Sequence, residues 1–108
     1  MRDLGVRVFA GSDNIRDAWW PYGTGDMLER TTIIGLQGGL MADDDLGYLA
    51  SLVTDAAADV LGVADYGLRV GGRADLVVVG AHGVPEAVAG HPKRRLVLHA
   101  GRVVSEGR

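Results

Sequence analysis

The chain has 108 residues, no cysteine and a net charge of −3. That length allows one ordinary domain or less. The absence of cysteine excludes disulfide staples and thiolate metal sites, and a charge this mild gives no reason to expect nucleic acid or an anionic membrane as a partner. Val6 to Ala10 (VRVFA), between Gly5 and Gly11-Ser12-Asp13-Asn14, reads as a strand followed by a loop. Ile15 to Gly25 has no period and carries Trp19, Trp20, Pro21 and Tyr22, so an aromatic loop is expected. Asp26 to about Gln37 reads as a helix, capped by Thr24 or Gly25, with Asp26 favourably placed on the helix dipole and Gly38-Gly39 as its end. Leu46 to Leu61 is the clearest helix: Leu46, Leu49, Ala50, Val53, Ala57 and Val60 share one face, behind an acidic start at Asp43-Asp44-Asp45. Leu76 to Val79, Leu96 to His99 and Val103-Val104 read as short strands, and Pro85 to Ala89 as one helical turn. His99-Ala100-Gly101-Arg102 has the form of a tight hairpin with Gly101 at positive φ.

This order sits badly as a free-standing domain. The first strand has no evident partner nearby in sequence, and its apolar residues fit a sheet covered on both faces. Unpaired edges and apolar surface would be left open. Met1-Arg2-Asp3-Leu4-Gly5 reads as the interior of a domain, because a strand begins almost at once, and no apolar leader follows Met1. No apolar run approaches the ~20 residues of a membrane helix. A cytoplasmic protein with no membrane partner is expected.

The informative segment is Gly11 to Leu28, GSDNIRDAWWPYGTGDML. It resembles the cytosine deaminase branch of the amidohydrolase superfamily, and also the s-triazine-ring amidohydrolases. ADYGLRVGGRADLVVV is similar to that superfamily's entry into its C-terminal β-sandwich, and HAGRVV to its closing hairpin. The resemblance implies an α/β chain: the C-terminal fragment of a (β/α)8 metal-dependent hydrolase barrel plus strands of a composite β-sandwich. Residues 1–60 would supply the last strand and terminal helices of the barrel, and residues 61–108 part of the sandwich. Such a barrel needs roughly 250 residues, so the chain would hold only its tail.

An acidic side chain just past the C-terminal end of a barrel strand lies where such barrels do their chemistry. The resemblance implies that Asp13 is both a ligand of zinc or iron and the catalytic group that takes the proton of the attacking water. The plain alternative is a loop aspartate bonding its own backbone. Asn14 matches a position where cytosine deaminases tend to carry a second aspartate near the substrate. An amide there opens heterocycles other than cytosine, or it supports the turn. Trp19 matches the aromatic that lies against the substrate ring, or it packs on the barrel rim. Asp17 and Arg16 could pair locally and receive no role.

His82, His91 and His99 lack the early His-x-His arrangement of such enzymes and read as surface or loop residues. Gly23-Thr24-Gly25 lacks the ending of a phosphate loop, and Lys93-Arg94-Arg95 reads as a solvated turn. The implied function is hydrolysis of a C–N bond in a small nitrogen heterocycle by the intact enzyme. One carboxylate is short of the three ligands a catalytic metal takes, so the chain alone is expected to bind no metal and to be inactive. It would need its missing N-terminal segment, or would self-associate as a non-enzymatic remnant.

Overall fold

The computed structural model describes residues 2–107. After a 3-10 turn at Arg2–Leu4 come three helices: α1 (Met27–Gly38), α2 (Asp43–Leu52) and α3 (Asp55–Val60). Strand β1 (Leu76–Val79), helix α4 (Val84–Gly90) and strands β2 (Arg94–His99) and β3 (Arg102–Glu106) complete the order. The chain is thus α/β, with one three-stranded antiparallel sheet in the order β1-β2-β3.

The expected strand at Val6 to Ala10 does not form a ladder. Its backbone finds a single partner across the fold, the Ala10 N–H donating to the Leu52 carbonyl at 2.9 Å. Val8 and Ala10 turn onto the core, while Val6 and Phe9 stay exposed. A strand needs a neighbour to satisfy its amides, and the described residues offer none.

Helix α1 begins as expected, but its cap is Asp26 itself. The Asp26 carboxylate accepts the Leu28 N–H at 2.9 Å, while Thr24 Oγ1 accepts only the Asp26 N–H. Gly38-Gly39 ends the helix as foreseen, with Gly39 at the cap. The long helix expected over Leu46 to Leu61 is two helices, broken at Val53-Thr54. Thr54 Oγ1 donates to the Ala50 carbonyl at 2.8 Å and Ser51 Oγ to the Tyr48 carbonyl at 2.6 Å. Such side-chain bonds compete with the helical ladder, and the β-branched pair lowers its propensity further. The break releases the Leu52 carbonyl that Ala10 uses. The acidic start of α2 is as expected, and Asp45 reaches back to accept the Ala42 N–H at 3.1 Å.

The core is small. Leu49 (0% exposed), Leu52 and Val88 form its centre, and Val8, Ala10, Leu28, Ile34, Leu40 and Leu46 pack around it. Gly35 is buried where α1 meets α2: a Cβ built on it would lie 2.8 Å from Leu49 Cδ1. Only glycine lets the helices approach that closely. Val88 brings α4 into the same core; this helix runs for seven residues, longer than the single turn expected.

The sheet is as foreseen in its strands, and β2 and β3 run longer than the apolar runs alone suggest. Leu76 pairs with Leu98 and Val78 with Leu96, and β3 carries an irregularity opposite Val97-Leu98. The turn between β2 and β3 has φ 48 at Ala100 and φ 78 at Gly101, the two positive values of a type I′ hairpin. Gly101 was expected there. Ala100 is held by its N–H donating to Asp75 Oδ1 at 2.7 Å. Arg94 corrects the expectation of a solvated basic turn. Its guanidinium donates to both carboxylate oxygens of Asp26, Nη1 to Oδ2 at 2.7 Å, and so ties β2 to the start of α1.

Candidate functional site

Ser12, Asp13, Asn14, Trp20 and Arg30 line a depression of about 240 Å³ beside the N-terminal end of α1. Ligand sites for small molecules start near ~300 Å³. The depression is therefore too small to enclose such a molecule by itself. A larger groove of about 580 Å³ lies between Gly80, Lys93-Arg94-Arg95 and Glu106. Its titratable side chains are three basic residues and one carboxylate, and none of its lining residues belongs to the Gly11 to Leu28 segment, so the smaller depression is the candidate site.

Asp13 stands at φ 59, and the Asn14 N–H donates back to the Ser12 carbonyl at 2.8 Å. That i to i+2 bond around a positive φ is a γ-turn of the rare, strained kind. The Asp13 side chain is exposed, and among the described residues no hydrogen bond or ion pair holds it. Arg30, one turn into α1, donates from Nη2 to the Asn14 carbonyl at 3.2 Å and anchors the loop to the helix.

Asn14 does more than support the turn through its backbone. Its Nδ2 donates to Asp17 Oδ2 at 2.6 Å. Asp17 pairs in this way, and not with its neighbour Arg16. Its other oxygen accepts the N–H groups of Trp19 at 2.8 Å and Trp20 at 3.0 Å. The Asn14 amide, then the Trp19 N–H, hold the Asp17 carboxyl below the usual carboxylate range, with desolvation opposing them. Trp19 itself is 85% exposed and stands outside the depression. Trp20 lines the depression and meets Tyr22 edge-on at 5.5 Å. Sequence alone assigns no role to Trp20, Asp17 or Arg30. The Asp17 spacing carried a signal, since an aspartate that accepts N–H groups two and three residues on is a recurrent turn element. Arg30 carried none.

The histidines stay apart from Asp13's wall. His82 and His99 are exposed and pair with Glu86 and Asp75. His91 is a partial correction: it caps α4 at φ 45, half-buried, with Nε2 on Thr32 Oγ1. Among the described residues no three His, Cys, Asp or Glu side chains gather as a metal would require. Asp13 is the one carboxylate lining the depression. This donor set does not fit a catalytic zinc or iron, which takes three or more protein ligands.

The comparison with known sequences decides the family. The profile described as the amidohydrolase family matches residues 1–105. This chain belongs to the amidohydrolase family. Among amidohydrolase relatives, it is 37% identical over 103 residues to N-isopropylammelide isopropyl amidohydrolase of Pseudomonas sp. (strain ADP), covering 94% of this chain and 26% of that protein. It is 36% identical to pterin deaminase of Rhizobium rhizogenes (strain K84 / ATCC BAA-868), covering 93% and 23%. The fold superposes on N-isopropylammelide isopropylaminohydrolase from Burkholderia multivorans ATCC 17616 with a TM-score of 0.93 at 44% identity, over 97% of this chain and 27% of that one. It superposes on 5-methylcytosine deaminase from Klebsiella pneumoniae with a TM-score of 0.91 at 29% identity, over 99% and 26%. The chain spans about a quarter of the length of these amidohydrolases. No helix among the described residues is long and apolar enough to cross a membrane.

Proposed function

We propose that this chain is the C-terminal portion of a metal-dependent amidohydrolase that cleaves a C–N bond on a small nitrogen heterocycle, by deamination or amide hydrolysis. Residues 1–60 would close a (β/α)8 barrel, and residues 61–108 would join a composite β-sandwich. The observation that carries the reading is the Asp13 turn: a carboxylate without a partner among the described residues, on a strained backbone, on an open wall shared with Asn14 and Trp20. Strain of this kind persists where the surrounding structure over-determines it, and it concentrates at sites of function. Relatives named for triazine, pterin and cytosine substrates support a planar heterocycle as the class.

In this reading water adds to the ring carbon that bears the amine. Asp13 takes the water's proton and passes it to the leaving nitrogen, the C–N bond breaks, and the ring carbon keeps the oxygen. Asn14 contacts the ring, and the exposed indole of Trp19 supplies a flat face for it. Asp13 would be one member of a zinc or iron ligand set whose other members lie outside this chain, so the chain alone is inactive.

A second reading has one observation in its favour. All five residues of β3 are exposed, among them Val103 and Val104, and Val77 and Val78 are exposed on β1. Open edges of this kind invite pairing, and the chain could persist as a non-enzymatic, self-associating remnant. Reading the DNA upstream of Met1 in frame separates the two. An open frame long enough for a barrel, roughly 250 codons, with an early His-x-His supports the enzyme; stop codons close upstream support the remnant.

A further inference from the structure

We infer that Asp17 is a positioning residue: it fixes which end of the Asn14 amide faces the depression, and so selects a heterocycle that offers an N–H donor there. The inference rests on the reading of the Asp13 wall as the substrate site. Asp17 touches neither the depression nor, in that reading, the substrate.

The two Asp17 oxygens have separate tasks. Oδ1 accepts the N–H groups of Trp19 and Trp20, and Oδ2 faces the Asn14 side chain at 2.6 Å. An ionised carboxylate only accepts hydrogen bonds. The amide end that meets it must be the NH2 group, which settles an orientation that the shape of an amide leaves open. The carbonyl end of the Asn14 amide has no partner among the described residues, while Asn14 lines the depression and Asp17 does not. In the inferred arrangement this carbonyl end is the acceptor that Asn14 presents to the site. A ring N–H beside the reacting carbon satisfies it. A ring nitrogen lone pair, or an N-alkyl group, does not.

The loop has support that does not depend on this pair. The Arg16 N–H donates to the Tyr22 carbonyl at 3.2 Å and the Asp17 N–H to the Trp20 carbonyl at 3.0 Å. Asp17→Asn can therefore keep the loop. Its Oδ1 still accepts the Trp19 and Trp20 N–H groups, but a donor now stands where Oδ2 stood. Asn14 turns over to meet that donor, and its NH2 group faces the depression. One isosteric change inverts the polarity of the site wall.

Two measurements test this. In nitrogen-15 NMR of the 108-residue chain, the Asn14 side-chain amide should shift as pH passes through the Asp17 titration, below the usual carboxylate range. In Asp17→Asn that dependence should vanish while the Trp19 and Trp20 backbone signals hold their places. The second measurement uses a chimera in which this chain replaces the matching segment of the Pseudomonas relative. A heterocycle with a ring N–H beside the hydrolysed carbon is compared there with its N-methyl analogue. The parent should favour the N–H compound by about tenfold in kcat/KM, the size of one hydrogen bond, carried by KM. Asp17→Asn should bring the ratio to one or below, and the pair Asn14→Asp with Asp17→Asn should restore it. An unchanged ratio in Asp17→Asn, or an Asn14 amide indifferent to Asp17, overturns the inference. If Asp13→Asn leaves the chimera's rate intact, the reading of the site falls instead, and the NMR result still decides the orientation of the Asn14 amide.

Discussion

Replacing Asp26 with alanine should cost the isolated chain about 2 kcal/mol of stability, in two parts. The first is the helix cap: the Asp26 carboxylate accepts the Leu28 N–H at 2.9 Å, and losing such a cap costs ~1 kcal/mol. The second is the paired contact with Arg94, which joins residues 68 apart in sequence. The two side chains are 24% and 30% exposed, so solvent screens the pair in part and its loss adds only ~1 kcal/mol. Asp26→Asn keeps a cap acceptor and should lose only the second part, about 1 kcal/mol. Burial pushes the Asp26 carboxyl up, but Arg94 and the Leu28 N–H outweigh it and hold the group below the usual carboxylate range. A depressed carboxyl stabilises the fold above its unfolded pKa, and that stability is lost as pH falls through its folded pKa. The gap between the parent and Asp26→Ala should therefore be full at neutral pH and narrow in acid toward the cap part, about 1 kcal/mol, because a protonated carboxyl can still accept the Leu28 N–H. Urea unfolding followed by far-UV circular dichroism at both pH values measures it. Equal stability at neutral pH, or a gap that acid leaves unchanged, would refute the reasoning.

Leu49→Ala empties the centre of a core with few other buried side chains and should cost about 3 kcal/mol, read from the shift in the urea midpoint. Gly35→Ala should destabilise by about 1–3 kcal/mol in the same assay, because the added methyl meets Leu49 Cδ1 at 2.8 Å. Ala100→Gly should raise the thermal midpoint, stabilising by about 0.5–1 kcal/mol, since Ala100 holds φ 48 in the type I′ turn. Val104→Lys on the exposed strand β3 should lower the sedimentation coefficient of the isolated chain if copies pair along that strand; an unchanged value would exclude that pairing.

Local signals in the sequence were the ones that could be read. Gly101 and its neighbours announced the hairpin, the apolar face of Leu46 to Ala50 announced α2, and Gly38-Gly39 announced the end of α1. The misses share a different cause. Val6 to Ala10 has the composition of a strand, but a ladder is a property of two segments, and the described residues supply only one. The apolar stripe of α2 continues in register across Val53-Thr54, so its period could not show that Thr54 Oγ1 takes the Ala50 carbonyl. Arg94 read as a solvated basic residue because its partner Asp26 is remote in sequence. The candidate site divides the same way. Asp13 and Asn14 were marked by their segment, whereas Arg30 and Trp20 joined them only when α1 and the aromatic loop were folded together.

The most direct measurement of the central claim is amine release from a heterocyclic substrate by the chimera, with and without Asp13→Asn. The account predicts hydrolysis by the chimera, none by the 108-residue chain alone, and a fall of at least about a hundredfold in kcat with Asp13→Asn, the scale of a lost general base. A folded Asp13→Asn chimera that turns over at the parent rate would contradict it.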